Sequence, residues 1–194
     1  KKHYESIKSP KHKEMTYGYE LMFDAANCMR LGKHILMNVY NENQALGAKW
    51  LKSVLGDDYT ILPTKICDSH IDSEFLPLRP GLAIISEQRV VDLLPEPLQK
   101  WDLIFIPERD RNVEHYNSQD IKLASPKVEL NVLSINPSTI ICHPEYRDTL
   151  HTALSKYNID VIPVQMRHCE IFAGAHHCLT LDIRRKGGLE NYLQ

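Results

Sequence analysis

The chain lacks several features that would have decided its class at once. Nowhere in its 194 residues does an apolar run approach the roughly 18 needed to span a bilayer; Ile35-Leu36-Met37 is typical of the length reached. An excess of charge is also missing. Lys+Arg number 23 and Asp+Glu 25, for a net −2 and a pI near 6.6, so there is no broadly basic character to attract nucleic acid. The five cysteines, Cys28, Cys67, Cys142, Cys169 and Cys178, are odd in number and irregular in spacing. A secreted disulfide framework shows an even, ordered set, so a reducing, cytoplasmic setting is expected. The first residues (Lys1, Lys2, His3, Tyr4, Glu5) are polar and form no signal peptide, and the first is not Met, which leads us to expect a start upstream or a shortened chain. There is no G-x-G-x-x-G run, phosphate loop or G-x-S-x-G elbow, so nucleotide-dependent chemistry has no support. What is present is ordinary for a folded globular protein: 43% apolar and 25% charged residues.

Residues 1–22 are read as a polar linker or loop, with five lysines in the first 20 positions. Residues 23–194 carry a repeat. An apolar run at 34–39 predicts a buried strand, and 41–55 a helix with Leu46, Trp50 and Val54 along one face. Gly56 stands where a helix end favours a residue of positive φ. A second strand at 60–62 is expected to stop at Pro63. The order recurs at 82–85, helix 93–101 and strand 103–106 before Pro107. It recurs again at 139–142, helix 146–157 and strand 160–162 before Pro163. The three prolines are 44 and 56 residues apart. Repetition on this scale indicates one supersecondary unit copied and stacked on itself. An additional apolar run, at 131–135, points to one more strand in each unit. The fold class is therefore α/β, and copied units favour a radial, propeller-like arrangement over an open doubly wound sheet.

Three stretches gather polar groups beside strand ends: residues 23–27, 69–73 and 173–178. Cys178 follows a run of small residues and opens an alternating, strand-like segment at 178–183. As sequence, it is compatible with an inert buried cysteine or with a nucleophilic thiolate activated by a neighbouring imidazole. His70 and Asp24 would complete an Asp–His–Cys set, although 46 and 108 residues separate consecutive members. Asp72, two residues after His70, is expected on the same side of an extended strand, and a carboxylate there suits a planar guanidinium. A metal is the competing use of Cys67, His70, His176, His177 and Cys178. Structural zinc sites more often show paired Cys-x-x-Cys, and adjacent histidines diverge on a strand.

At these stretches the sequence resembles the amidinotransferase family. The matching residues are Phe23-Asp24-Ala25-Ala26, His70-Ile71-Asp72, Leu130-Asn131-Val132-Leu133, His177-Cys178, Asp182-Ile183-Arg184-Arg185 and Leu189-Glu190-Asn191-Tyr192-Leu193. The resemblance runs from about Phe23 to the last residues. It implies a pentein-type α/β propeller of ββαβ units around a central site, with about three of five units, the C-terminal portion, in this chain. It also implies roles: Cys178 as the nucleophile, His70 as general acid/base, Asp24 as the carboxylate completing the triad, and Asp72 as the group holding the donor guanidinium. Arg89 and Ser125 match substrate-binding positions. The implied reaction moves the amidino group of L-arginine to an acceptor amine through an amidino-cysteine, releasing ornithine, without metal or organic cofactor. Its partners would be those two small molecules, with no nucleic acid or membrane, and a homodimer is compatible with it. A guanidino hydrolase of the same fold and a non-catalytic guanidino-binding relative are the alternatives. Departures at Asn27, Ser69, Ala124 and 173–176 fall around the acceptor side, so glycine is not implied as acceptor.

Overall fold

A computed structural model describes residues 20–107, 128–169 and 171–193. Most of the expected linker, and Ser125 and Ala124 with it, lie outside the described residues. Three small sheets follow one another along the chain, and each is built the same way.

In the first sheet, β1 (Cys28–Leu31) runs antiparallel to β2 (His34–Asn38), helix α1 (Glu42–Leu55) crosses over, and β3 (Thr60–Thr64) returns parallel to β2. The second repeats this with β4 (Phe75–Arg79), β5 (Leu82–Ile85), two single-turn helices α2 (Val90–Leu93) and α3 (Glu96–Gln99), and β6 (Asp102–Phe105). The third has β7 (Leu133–Asn136), β8 (Thr139–Cys142), α4 (Arg147–Leu154) and β9 (Asp160–Pro163). The expected extra strand therefore exists in every unit, and each unit is ββαβ. The hairpins close with two residues: Gly32-Lys33, Pro80-Gly81 and Pro137-Ser138. Gly32 and Gly81 supply the positive φ, +66° and +79°, that such tight turns demand. A register shift occurs at the same place in the second and third hairpins, at Pro77/Arg79 and Ser134/Asn136.

The apolar patterns dictate the packing. All four residues of β5 are buried, and the second and third units share one large core around Phe75, Ile84, Ile140, Tyr146 and Leu150. Met29, Leu31 and Leu36 carry the first sheet into that core, while Met37, Ala48 and Leu51 form a smaller one under α1.

Five expectations need correction. The buried residues of α1 are Gly47, Ala48 and Leu51 rather than Leu46, Trp50 and Val54, and Trp50 is 41% exposed and Val54 60%. The incoming chain explains this: a β-carbon on Gly47 would collide with the Met22 carbonyl, so small residues let residues 22–23 lie against the helix. Pro63 does not stop its strand but sits within it, paired with Met37, whereas Pro163 is itself the last residue of its strand, paired with Cys142. As members of edge strands they can lack an N–H without losing a ladder bond. The single helix expected over 93–101 is two separate turns, the second opening at Pro95-Glu96. Residues 70–73 are not an extended strand but a 3₁₀ turn, Ile71–Ser73. Residues 178–183 form no strand; they leave a turn and continue irregularly, with Leu181 and Ile183 84% and 91% exposed. Among the described residues no helix is long and apolar enough to cross a membrane.

Candidate active site

The side chains that meet in the candidate site come from the segments that flank or join the units. Asp24 precedes the first unit, His70 and Asp72 lie between the first and second, Asn131 lies between the second and third, and His177 and Cys178 follow the third.

Asp24 is fixed from both sides. Phe23 stacks on Trp50 with ring centroids 5.6 Å apart, and the Met22 N–H donates to the Asn43 carbonyl at 3.1 Å. Asp24 then caps the 3₁₀ turn Ala25–Asn27, with Oδ1 accepting from the Ala26 N–H at 3.0 Å. This leaves Oδ2 to meet His70 Nε2 at 3.2 Å. Asn38, at the end of β2 and fully buried, aligns the two partners. Its Nδ2 donates to Asn27 Oδ1 (3.1 Å) and to the Cys67 and Ser69 carbonyls (2.9 and 3.3 Å). Its Oδ1 accepts from the Ile66 and Cys67 N–H groups (2.9 and 3.3 Å). One amide thus ties the Asp24 turn to the segment that presents His70. Ser73 Oγ, donating to the His70 carbonyl at 2.7 Å, holds the next turn.

That turn separates His70 from Asp72. The His70 side chain is 53% exposed, whereas the Asp72 side chain is 5% exposed. Three groups converge on Asp72 Oδ2: His177 Nδ1 at 2.8 Å, Cys178 Sγ at 3.2 Å and Asn131 Nδ2 at 3.2 Å. Burial alone would raise this carboxyl, but the hydrogen bond and charge of His177, with Cys178 and the charge of His70, hold it below its ordinary range. Among the described residues no protein donor takes Oδ1.

Cys178 is delivered by a tight backbone path. Ala173 has a φ of +52°, and the Gly174 N–H donates to the Cys169 carbonyl at 3.0 Å. A β-carbon on Gly174 would lie 2.7 Å from Cys178 Cβ and 2.9 Å from its sulfur, so only glycine lets the thiol occupy its position. The run of small residues noted in the sequence serves this approach. Asn131 Oδ1 accepts from the N–H groups of Ala175 (2.7 Å) and Cys178 (2.9 Å), and its Nδ2 also donates to the sulfur at 3.0 Å. Desolvation of the sulfur, then the Asp72 charge, pushes the thiol up to about 11. A thiol so raised keeps its proton at neutral pH.

Four of the six sequence-predicted residues, Asp24, His70, Asp72 and Cys178, are linked by contact or by charge. Arg89 stands in its own network. It donates from Nε to Glu87 (2.7 Å) and from its terminal nitrogens to the Ile66 carbonyl (3.0 Å) and Glu74 (3.4 Å), and Glu74 also accepts from Ser86. Arg89 therefore fastens the strand end that leads to His70. Ser125 lies outside the described residues. The residues considered for metal are drawn to different partners: His70 turns to Asp24, His177 and Cys178 to Asp72, and His176 is buried and held below its ordinary pKa by that burial. No cluster of three or more His, Cys, Asp or Glu suited to a metal occurs among the described residues. Asn38 and Asn131 escaped the sequence reading as site residues. Their signal was a polar amide set within or at the end of an apolar run.

No protein-family model matches the chain. Curated relatives do. The chain is 37% identical over 177 residues to inosamine-phosphate amidinotransferase 1 of Streptomyces glaucescens, covering 89% of this chain and 49% of that protein. It is 33% identical over 178 residues to the L-arginine:L-lysine amidinotransferase of Pseudomonas savastanoi pv. phaseolicola, covering 90% and 48%. The solved inosamine-phosphate amidinotransferase of Streptomyces griseus superposes with a TM-score of 0.77 at 33% identity, over 91% of this chain and 50% of that one. The chain spans about half the length of the curated relatives it matches. Sequence and fold agree over nine-tenths of this chain's length, and over about half of theirs, in their similarity to the amidinotransferases.

Proposed function

We propose that this chain carries the catalytic centre of an enzyme that moves the amidino group of L-arginine to the amine of a small acceptor through a covalent amidino-Cys178. The observation that carries this reading is the meeting of a thiol and a buried carboxylate: Cys178 Sγ lies 3.2 Å from Asp72 Oδ2, with the His70–Asp24 pair beside them. A guanidinium that binds Asp72 brings its central carbon to the sulfur.

The chemistry then follows from charge. Burial of the sulfur and then the Asp72 charge hold the proton on Cys178. A guanidinium on Asp72 cancels that negative charge and favours the thiolate, so the nucleophile forms when the substrate is in place. The proton given up by sulfur passes to His70, whose imidazolium is stabilised by Asp24. Sulfur attacks the guanidinium carbon, and the bond from that carbon to the ornithine nitrogen breaks as His70 returns the proton to the departing amine. The acceptor amine next attacks the amidino carbon, His70 takes its proton, and the carbon–sulfur bond breaks to restore the thiolate. Two half-reactions through one covalent intermediate imply ping-pong kinetics.

Arg89 and Ser125 are assigned to the substrate's remaining polar groups, with Arg89 exchanging part of its Glu74 and Glu87 contacts for a carboxylate. The acceptor is a small-molecule amine; the two named relatives carry inosamine phosphate and L-lysine in their names. The three ββαβ units are read as part of a closed propeller of five.

Intact-mass measurement of the full-length protein mixed with arginine and quenched in acid tests the reading. One amidino group should appear on Cys178, with ornithine in solution. No adduct overturns the covalent route, and citrulline in place of ornithine makes the enzyme a hydrolase.

A further inference from the structure

Asn131 uses its whole hydrogen-bonding capacity at this site. A side-chain amide offers two lone pairs and two N–H donors. Here Oδ1 accepts from the backbone of Ala175 and Cys178, and Nδ2 donates to Asp72 Oδ2 and Cys178 Sγ. The backbone carbonyl of Asn131 also accepts from the His177 N–H at 3.3 Å. The residue is buried, and its own segment is anchored by buried Val128, Leu130 and Val132. The two ends of the amide cannot be exchanged. Backbone N–H groups only donate, so the oxygen must face residues 175 and 178, and the NH₂ must face the sulfur and the carboxylate.

We propose that Asn131 is a positioning residue that couples the nucleophile loop to the guanidinium-binding carboxylate, one end of its amide gathering the loop and the other donating to the sulfur and to Asp72. This rests on the amidinotransferase reading for its purpose, though not for its geometry. Two contacts on the sulfur act in opposite senses. Asp72 accepts the thiol proton and repels the thiolate, whereas the Asn131 donor is satisfied by the thiolate. The other charged groups around them are His177, on the same Asp72 oxygen, and His70 with Asp24 beyond it. Asn131 therefore sets how readily the sulfur ionises once a cation has neutralised Asp72, and it keeps the sulfur in line as that happens.

The test is the pH profile of Cys178 alkylation by iodoacetamide, read on the Cys178 peptide by mass spectrometry, together with a thermal melt. Asn131→Ala should move the profile up by about one pH unit, so that alkylation at a fixed pH below the transition slows about tenfold. Asn131→Asp keeps the acceptor for the two backbone N–H groups but loses the donor. It should melt nearer the wild type than the alanine variant while shifting the profile at least as far upward. A wild-type profile in either folded variant overturns the proposal. If the alanine variant does not fold, the aspartate variant decides alone. Because alkylation requires no arginine, an unchanged profile removes the role of Asn131 and leaves the transfer reading standing. Absence of an arginine-derived adduct in the wild type does the reverse.

Discussion

The His70–Asp24 and His177–Asp72 pairs contain the same two functional groups, at 3.2 and 2.8 Å, in very different surroundings. Both members of the first are about half exposed, and beyond Asp24 the histidine is held through its own backbone carbonyl, which accepts from Ser73 Oγ. In the second the carboxylate is 5% exposed and its Oδ2 is shared by three groups. An exposed pair in water contributes little to folding but can gain and lose a proton cheaply. A buried carboxylate with three groups on one oxygen has its charge held, and removing a partner leaves that charge less compensated. This difference is what the proposed division of labour rests on, with proton transfer given to the exposed pair and the substrate cation to the buried carboxylate.

Substitutions can break this comparison, and the strongest acts on the buried carboxylate. Asp72→Asn keeps the shape and removes the charge. Transfer should fall on the order of 10³-fold or more in kcat/KM. Iodoacetamide labelling of Cys178 should speed up, since the charge that adds to burial in holding the thiol near 11 is gone. A slower or unchanged labelling rate would count against the assignment of that charge. Next in size, His70→Ala should lower kcat by on the order of 10²-fold or more, with the melting free energy within about 0.5 kcal/mol of wild type because the pair is exposed. A large loss of stability here would erase the distinction between the pairs.

The smallest effect on turnover and the clearest on folding belong to His177→Ala. Activity should drop only about tenfold, while stability at neutral pH falls by about 1–3 kcal/mol because Asp72 loses its nearest partner. The sign of the pH dependence follows from the lowered carboxyl. Its contribution to stability is complete above the ordinary value of 3.8 and is lost as acid protonates it in the fold. Wild type and variant should therefore differ most near neutrality and converge in strong acid, which chemical denaturation across pH would measure.

Much of this was legible in the sequence, unevenly. Apolar runs located the β2, β5 and β8 strands, because a buried strand has few other ways of being written. Alternation at Leu179, Leu181 and Ile183 misled, since a two-residue period reports where side chains would point and not whether a partner strand exists to pair with. The face of α1 was misplaced because contact with the Met22 carbonyl selects Gly47 for its lack of a side chain, which counting large apolar residues overlooks. Resemblance singled out Asp24, His70, Asp72 and Cys178 as residue types in order. Spacing could not bring residues 46 and 108 positions apart into one cluster; the buried amides of Asn38 and Asn131 do much of that.

Among the described residues the three sheets share no ladder, and Asp24, His70, Asp72, Asn131, His177 and Cys178 all stand in the segments that flank or join them. Duplication of one ββαβ segment copies strands, hairpin and crossover together, with register kept inside the copy. The junctions carry no register to preserve. They are the parts that descendants of a copied segment can rewrite one at a time, so a new acceptor preference can be inherited as a change in a single connector while the sheets on either side are passed on unaltered.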